Sequence, residues 1–137
     1  MSQPFLLDTC AALWFMDATL RKPAVEALTG AYNQGLNTFV SPITAFEVGQ
    51  LARKRRFKSH LTPLRWFERL LSAPGMALAD MPPAVLIASS ELPNCQAKNP
   101  SDRIVAATAR EYGFTVVTKD AALLEYGKQG YLNVLEC

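Results

Sequence analysis

The chain has 137 residues, of which 50% are hydrophobic and 19% charged, and this balance excludes an intrinsically disordered protein. No apolar run reaches the roughly 18 residues that span a membrane, and the first residues lack the basic region of a secretory signal, so we expect one cytoplasmic domain over residues 1–137 with no membrane association. The formal net charge is only +2, and the single histidine and three scattered cysteines exclude a two-histidine nuclease, a disulfide framework and a zinc knuckle.

Short apolar segments alternate along the chain with segments of helical pattern. The predicted strands are residues 4–7, 37–40, 76–79, 115–118 and 132–136. The predicted helices lie near residues 10–19, 23–34, 43–56, 63–73, 82–91 and 101–112, with a further short helix after residue 120. Most of the strands lack polar alternation, as in sheets that are covered on both faces. This order predicts an α/β fold with a parallel sheet, in which ligands bind beyond the carboxyl ends of the strands.

Two aspartates directly follow predicted strands. Asp8 comes after "PFLL", and Asp120 comes after "TVVTK". Because the carboxyl ends of parallel strands meet at one edge of a sheet, we expect both carboxylates at that edge. Each aspartate is also a suitable N-cap for the helix that follows, a role worth about 1 kcal/mol. Capping and a functional role therefore remain alternatives at both positions.

A glutamate lies within an apolar helical stripe in "SPITAFEVGQLARKR". The helical period places Glu47 on one face with Ile43, Phe46, Gln50 and Leu51. A carboxylate in such a stripe is costly unless it is paired or bound to a metal. The alternative is a salt bridge at the edge of the stripe, either to Arg103 or to the basic run described below.

A fourth acid opens the predicted helix in "NPSDRIVAATAREYG". Asn99 suits the N-cap, so Asp102 falls at the third helical position, where an acid also complements the helix dipole. Asp102 shares a face with Val105, Ala106 and Ala109, the residues expected to pack on the sheet. The dipole role and a functional role are compatible.

The four acids form a pattern, with two at strand ends and two on inward helix faces near the same edge. Carboxylates 4 Å apart repel by about 4 kcal/mol at an effective dielectric constant of 20, so a converged group needs a cation. Mg²⁺ and Mn²⁺ prefer oxygen ligands, and such a site can activate water for attack on a phosphodiester. The sequence therefore predicts a divalent-metal site that acts on a phosphate ester.

A run of basic residues follows the helix that carries the glutamate. Its members are Arg53, Lys54, Arg55, Arg56 and Lys58. One interpretation is a solvated helix end, and the other is a patch that binds the phosphates of a nucleic acid.

The order of these segments resembles the PIN-domain family and, more closely, the VapC-type ribonuclease toxins of bacterial toxin–antitoxin pairs. The resemblance rests on "LLDTCAALW", "VSPITAFEVGQLARK", "NPSDRIVAATAREYGFTVVTKD" and the closing "YLNVLEC", and it spans essentially the whole chain. It implies a parallel five-stranded sheet flanked by helices. It also implies an acidic pocket that binds Mg²⁺ or Mn²⁺ and cleaves single-stranded or looped RNA.

The resemblance also assigns roles to individual residues. It implies that Asp8, Glu47, Asp102 and Asp120 are the catalytic, metal-binding acids. The hydroxyl residues Thr9 and Thr118 would support the pocket. Arg103 matches an arginine common after the third acid in these toxins and joins the residues expected to contact RNA. The others come from the basic run and are Arg53, Arg55, Arg56 and Lys58.

The family further implies a homodimer and a small antitoxin that covers the pocket with an apolar helix. The aromatic residues that could anchor the antitoxin, or else pack in the core, are Trp14, Phe15, Phe57, Trp66 and Phe67. Two residues depart from the common family pattern. Asn99 stands where many relatives have aspartate, and Cys10 stands where a histidine is frequent; neither is one of the four acids.

Other function classes fit the sequence less well. A haloacid-dehalogenase phosphatase needs a second aspartate at the position of Cys10, and a receiver domain needs an acidic pair beside Asp8. A PIN-like module that binds RNA without cleaving it remains an alternative, and tight RNA binding without divalent-dependent cleavage would identify it.

Overall fold

The computed structural model describes residues 3–137, which contain a five-stranded sheet and seven helices. The strands are β1 (Phe5–Leu7), β2 (Thr38–Val40), β3 (Met76–Leu78), β4 (Thr115–Thr118) and β5 (Asn133–Glu136). The helices are α1 (Thr9–Met16), α2 (Lys22–Asn33), α3 (Pro42–Arg53), α4 (Pro63–Leu71), α5 (Pro83–Ser90), α6 (Pro100–Tyr112) and α7 (Ala121–Lys128). Each strand lies within one residue of its predicted bounds.

The sheet is parallel throughout, with strand order β3-β2-β1-β4-β5. This arrangement confirms the predicted α/β class and the five-stranded parallel sheet. Strand β1 is central, and its last residue, Leu7, pairs with Val40 of β2 and Val117 of β4. The carboxyl ends of these three strands therefore lie side by side, and the residues that follow them share one edge.

Alternating side chains of the central strand enter two cores, one on each face of the sheet. Leu6 packs with Val116 and with residues of α5, α6 and α7, whereas Leu7 packs with Val117 and with residues of α1 to α4. Leu6 and Leu7 are both fully buried. Burial on both faces explains why the strands read as continuous apolar runs. Within residues 3–137, no helix is long and apolar enough to cross a membrane.

Two helices end three residues earlier than predicted, each in the same kind of turn. Helix α3 stops at Arg53 rather than residue 56: Arg55 adopts φ +57°, and its N–H and that of Arg56 bond back to the carbonyls of Ala52 and Leu51. This is a Schellman closure, which usually has glycine at the left-handed position. Helix α1 stops at Met16 rather than residue 19, where Ala18 takes the same left-handed conformation. Most of the basic run therefore lies beyond the helix.

Candidate active site

All four predicted acids line one cavity of about 630 Å³ at the carboxyl edge of the sheet. Asp8 follows β1, Asp120 follows β4 by two residues, Glu47 projects from α3, and Asp102 lies in the first turn of α6. Because β1 and β4 are adjacent, the two strand-end aspartates come from neighbouring points on the sheet edge. Helices α3 and α6 bring the other two acids to the same opening.

The two strand-end aspartates are also helix caps, so the two roles coexist. Asp8 Oδ1 accepts a hydrogen bond from the Ala11 N–H at 2.8 Å, and an Asp120 carboxylate oxygen accepts from the Leu123 N–H at 3.0 Å. Each bond satisfies an N–H at the start of the following helix and fixes the carboxylate against the sheet edge. Both carboxylates retain acceptor capacity toward the cavity, because each oxygen has two lone pairs.

The predicted supporting hydroxyls contact the acids directly. Thr118 Oγ1 donates to Asp8 Oδ2 at 2.5 Å and accepts from the Asp120 N–H at 2.9 Å, so one hydroxyl joins the two strand-end aspartates. Thr9 Oγ1 donates to Glu47 Oε1. Each hydroxyl therefore donates its single proton to a carboxylate of the cavity.

Burial and mutual repulsion make negative charge costly in this cavity. Asp8 is 4% exposed, and its burial, with smaller contributions from Asp120 and Glu47, raises its pKa even though the hydrogen bonds from Thr118 and Ala11 act in the opposite direction. Burial, followed by the charges of Asp120, Asp8 and Glu47, raises the pKa of Asp102 from 3.8 to about 7. Both shifts have the sign expected of carboxylates that share a site without a cation.

The donor set fits a hard divalent cation. Carboxylate oxygens are the ligands that Mg²⁺ and Mn²⁺ prefer, and Mg²⁺ binds through one or two carboxylates while keeping several waters. Across the described part of the chain, no three acidic, histidine or cysteine side chains stand as a complete ligand cluster.

Within residues 3–137, none of the four acids forms an ion pair with a protein cation. The ion pairs found within residues 3–137 are Arg21–Glu136 and Lys22–Glu26, which lie elsewhere. The proposed salt bridge between Glu47 and Arg103 or the basic run is therefore wrong. Glu47 takes its hydrogen bond from Thr9 instead.

Only part of the predicted basic surface reaches the cavity. Lys54 and Arg56 line it, together with Lys119, which lies with its Nζ 5.6 Å from the centre of the Trp14 ring. No sequence pattern marks Lys119 as a site residue, although it lies between Thr118 and Asp120. The remaining predicted RNA contacts Arg53, Arg55 and Lys58 are exposed but do not line the cavity.

Arg103 is placed away from the cavity, although it follows Asp102 directly. Its Nε donates to the carbonyl of Ser89 at 2.8 Å, and one terminal nitrogen donates to those of Cys95 and Ala97 at 3.4 and 3.0 Å. These bonds tie the end of α5 and the following loop to the start of α6. The expected RNA contact by Arg103 finds no support in this arrangement.

An apolar wall borders the acids. Its members are Leu13, Trp14, Phe46 and Leu51, and Phe46 is 59% exposed. Phe46, Gln50 and Leu51 of the predicted stripe thus line the cavity with Glu47, whereas Ile43 packs against the core. The fully buried residues of the helix are Thr44 and Val48. Of the five predicted aromatic anchors, Trp14 lines the cavity, Trp66 and Phe67 are buried, and Phe15 and Phe57 pack partly buried against the core.

Most of the chain is similar to known proteins. The family model for the PIN domain matches residues 5–129. Ribonuclease VapC22 of Mycobacterium tuberculosis is 30% identical over 118 residues, which cover 86% of this chain and 88% of that protein.

Two solved structures have a similar fold. One is DNA-bound VapBC from Salmonella typhimurium, with a TM-score of 0.67 and 19% identity over 98% of both chains. The other is VapBC2 from Rickettsia felis bound to a DNA fragment from its promoter, with a TM-score of 0.66 and 13% identity over 96% of this chain and 97% of that one.

Proposed function

Because the chain belongs to the PIN-domain family, we propose that it is a divalent-metal-dependent endoribonuclease toxin that hydrolyses RNA phosphodiester bonds and is inhibited by a cognate antitoxin. The observation that carries this proposal is the set of four carboxylates around one open cavity, none of which is paired with a protein cation in the described chain. The relative named as a ribonuclease, which aligns over most of both chains, supports the same activity.

Asp8, Asp102 and Asp120 would hold the metal, either directly or through bound water, and we take the metal to be Mg²⁺ or Mn²⁺. Glu47 would bind it directly or through water, or assist the base. When bound, the cation supplies Lewis-acid activation of water and stabilises charge on the phosphate. The residues' own contribution is orientation: Thr118 holds Asp8 and the Asp120 backbone, and Thr9 holds Glu47.

The substrate backbone would lie along the cationic side of the cavity. Lys54, Arg56 and Lys119 supply positive charge within reach of a phosphate that approaches the acids. Arg53, Arg55 and Lys58 would extend this charge along the exposed surface beyond α3. Such contacts are largely independent of base sequence and depend on salt concentration.

The apolar wall is the surface that an antitoxin would cover. Phe46, Leu51, Leu13 and Trp14 border the acids on the side open to solvent, and a helix placed there would block the cavity. The similar folds of the two VapBC structures support a partner of this kind. We further propose that the protein acts as a homodimer in the cytoplasm and that residues 1–137 form a single domain.

The decisive experiment measures cleavage of a structured RNA pool by antitoxin-free protein in Mg²⁺, Mn²⁺ or EDTA. Asp8→Asn is the test variant, and Asp80→Asn is its matched control, since Asp80 is an exposed aspartate at the end of β3 that does not line the cavity. We expect metal-dependent cleavage that Asp8→Asn abolishes and Asp80→Asn preserves. Tight RNA binding without cleavage in any metal would instead identify an RNA-binding module.

A further inference from the structure

A buried hydroxyl lies behind the glutamate of the cavity. Thr44 is fully buried in the first turn of α3, three residues before Glu47. Its Oγ1 lies 3.1 Å from Oγ1 of Thr9, the residue that follows Asp8. Thr9 in turn donates its hydroxyl proton to Glu47 Oε1. Three side chains from α1 and α3 therefore form one continuous chain of hydrogen bonds.

The number of hydroxyl protons determines which threonine donates in each hydrogen bond. A threonine hydroxyl has a single proton and two acceptor lone pairs. The proton of Thr9 is donated to Glu47 Oε1. The 3.1 Å contact can therefore form only if Thr44 donates and Thr9 accepts. Each bond polarises the next, so donation from Thr44 strengthens donation from Thr9 to the carboxylate.

We propose that Thr44 is a positioning residue for Glu47, acting through Thr9. Because Thr44 is buried, it contacts neither solvent nor substrate, and its effect must pass through the hydroxyl it touches. Its donated bond holds the Thr9 hydroxyl in the rotamer that points toward the carboxylate. The same bond ties the start of α1, which Asp8 caps, to α3. The relative placement of Asp8 and Glu47 thus depends on a residue outside the cavity lining.

The test compares Thr44→Val, which keeps the shape but removes the hydroxyl, with Thr44→Ser, which keeps the hydroxyl. The first readout is Mn²⁺ affinity in the absence of RNA, measured by isothermal titration calorimetry. Outer-shell partners of metal ligands typically contribute 10–100-fold in affinity, so we expect Thr44→Val to raise the dissociation constant about tenfold and Thr44→Ser to remain within about threefold of wild type. In cleavage assays Thr44→Val should lower kcat and leave KM for RNA unchanged. Wild-type Mn²⁺ affinity in Thr44→Val would overturn the proposal.

A double variant tests whether the effect passes through Thr9. If it does, Thr9→Val/Thr44→Val should bind Mn²⁺ no more weakly than Thr9→Val alone, because the route from Thr44 is already cut. Additive losses would show that Thr44 acts by another path. Should Thr44→Val fail to fold, Thr44→Ala carries the same comparison against Thr44→Ser.

This inference rests on the proposed function, and one readout separates the two. If the wild-type protein neither binds Mn²⁺ nor cleaves RNA, the proposed function fails while the hydroxyl chain can still be judged by thermal melting of the metal-free variants. There the double variant should melt at the temperature of Thr9→Val alone. Additive decreases in melting temperature would refute the hydroxyl chain independently of any catalysis.

Discussion

Replacing Asp102 by asparagine should stabilise the metal-free protein at alkaline pH. The substitution keeps the size and shape of the side chain while removing a charge that burial and three neighbouring carboxylates disfavour. Because the pKa of Asp102 is raised from 3.8 to about 7, the native state holds its proton more tightly than the unfolded chain does. The stability from this group is therefore complete below about pH 3.8 and is lost as the pH rises through about 7. Asparagine does not titrate and escapes that loss.

The size of the effect follows from the pKa difference and two corrections. The interval from 3.8 to about 7 would correspond to about 4 kcal/mol at 1.36 kcal/mol per pKa unit. Asp102 is only half-buried, so solvent screening reduces this to about 1–2 kcal/mol. Losing a carboxylate from the first turn of α6 costs about 0.3–1 kcal/mol through the helix dipole. We therefore expect a net gain of about 1 kcal/mol at pH 8, or about 4 °C in Tm.

The assay is thermal melting in EDTA at several pH values between 4 and 8. The gain should be largest at pH 8 and close to zero at pH 4, where Asp102 is protonated in the native state. Asp80→Asn, which alters an exposed aspartate outside the cavity, should show no such trend. Saturating Mg²⁺ should narrow the difference by stabilising the wild type more than the variant. A pH-independent difference, or a less stable variant at pH 8, would refute the electrostatic argument.

Three arginine substitutions, with Ala18→Gly as a comparison, separate structural from RNA-binding roles. Arg103→Gln should lower the free energy of unfolding by about 2–3 kcal/mol, because its guanidinium bonds three carbonyls, without changing the salt dependence of RNA binding. Arg56→Gln should leave denaturant stability unchanged but reduce the slope of log affinity against log salt by about 0.7–1. Arg55→Gly should raise stability by about 0.5–1 kcal/mol, because it removes a left-handed L-residue, and Ala18→Gly should gain a similar amount.

Each of these results has a matched comparison. If the slope of log RNA affinity against log salt is smaller in the Arg103 variant, that residue contacts RNA after all. If the slope is unchanged in the Arg56 variant, that side chain is solvated and does not contact RNA. Ala18→Gly relieves the same backbone conformation without altering charge. Any loss of RNA affinity seen in Arg55→Gly but absent from Ala18→Gly would therefore report the charge of Arg55 alone.

The elements of the fold were accessible from sequence because their signals are local. Buried parallel strands produce short apolar runs, and proline and N-cap residues mark the helix starts, as Ser41 and Asn99 do. The meeting of Asp8 and Asp120 follows from topology, since residues after neighbouring parallel strands share an edge. Glu47 stood out because an acid interrupts an apolar stripe.

The features that escaped prediction are contacts between distant segments and helix ends that lack their usual glycine. Helical periodicity identifies a face of α3 but not what that face contacts, so the period alone did not place Phe46 beside the cavity. The end of α3 had no recognisable sequence signal, because an arginine, Arg55, occupies the left-handed position where glycine is usual. Nothing in the sequence distinguishes the buried hydroxyl of Thr44 from that of any other threonine in a helix.

The central position of β1 affects when the sheet can be completed during translation. The hydrogen bond between Thr118 and Asp8 joins residues 110 positions apart, and β1 completes its pairing only when β4 is present. At about 5–20 residues per second, roughly 5–20 s of translation separate the emergence of these two side chains. Throughout that interval the growing polypeptide contains Asp8 but not β4, whose Thr118 donates a hydrogen bond to it. A chain that still lacks β4 therefore also lacks the hydrogen bond from Thr118 to Asp8, and the edge of the sheet that carries the acids is completed only as synthesis nears its end.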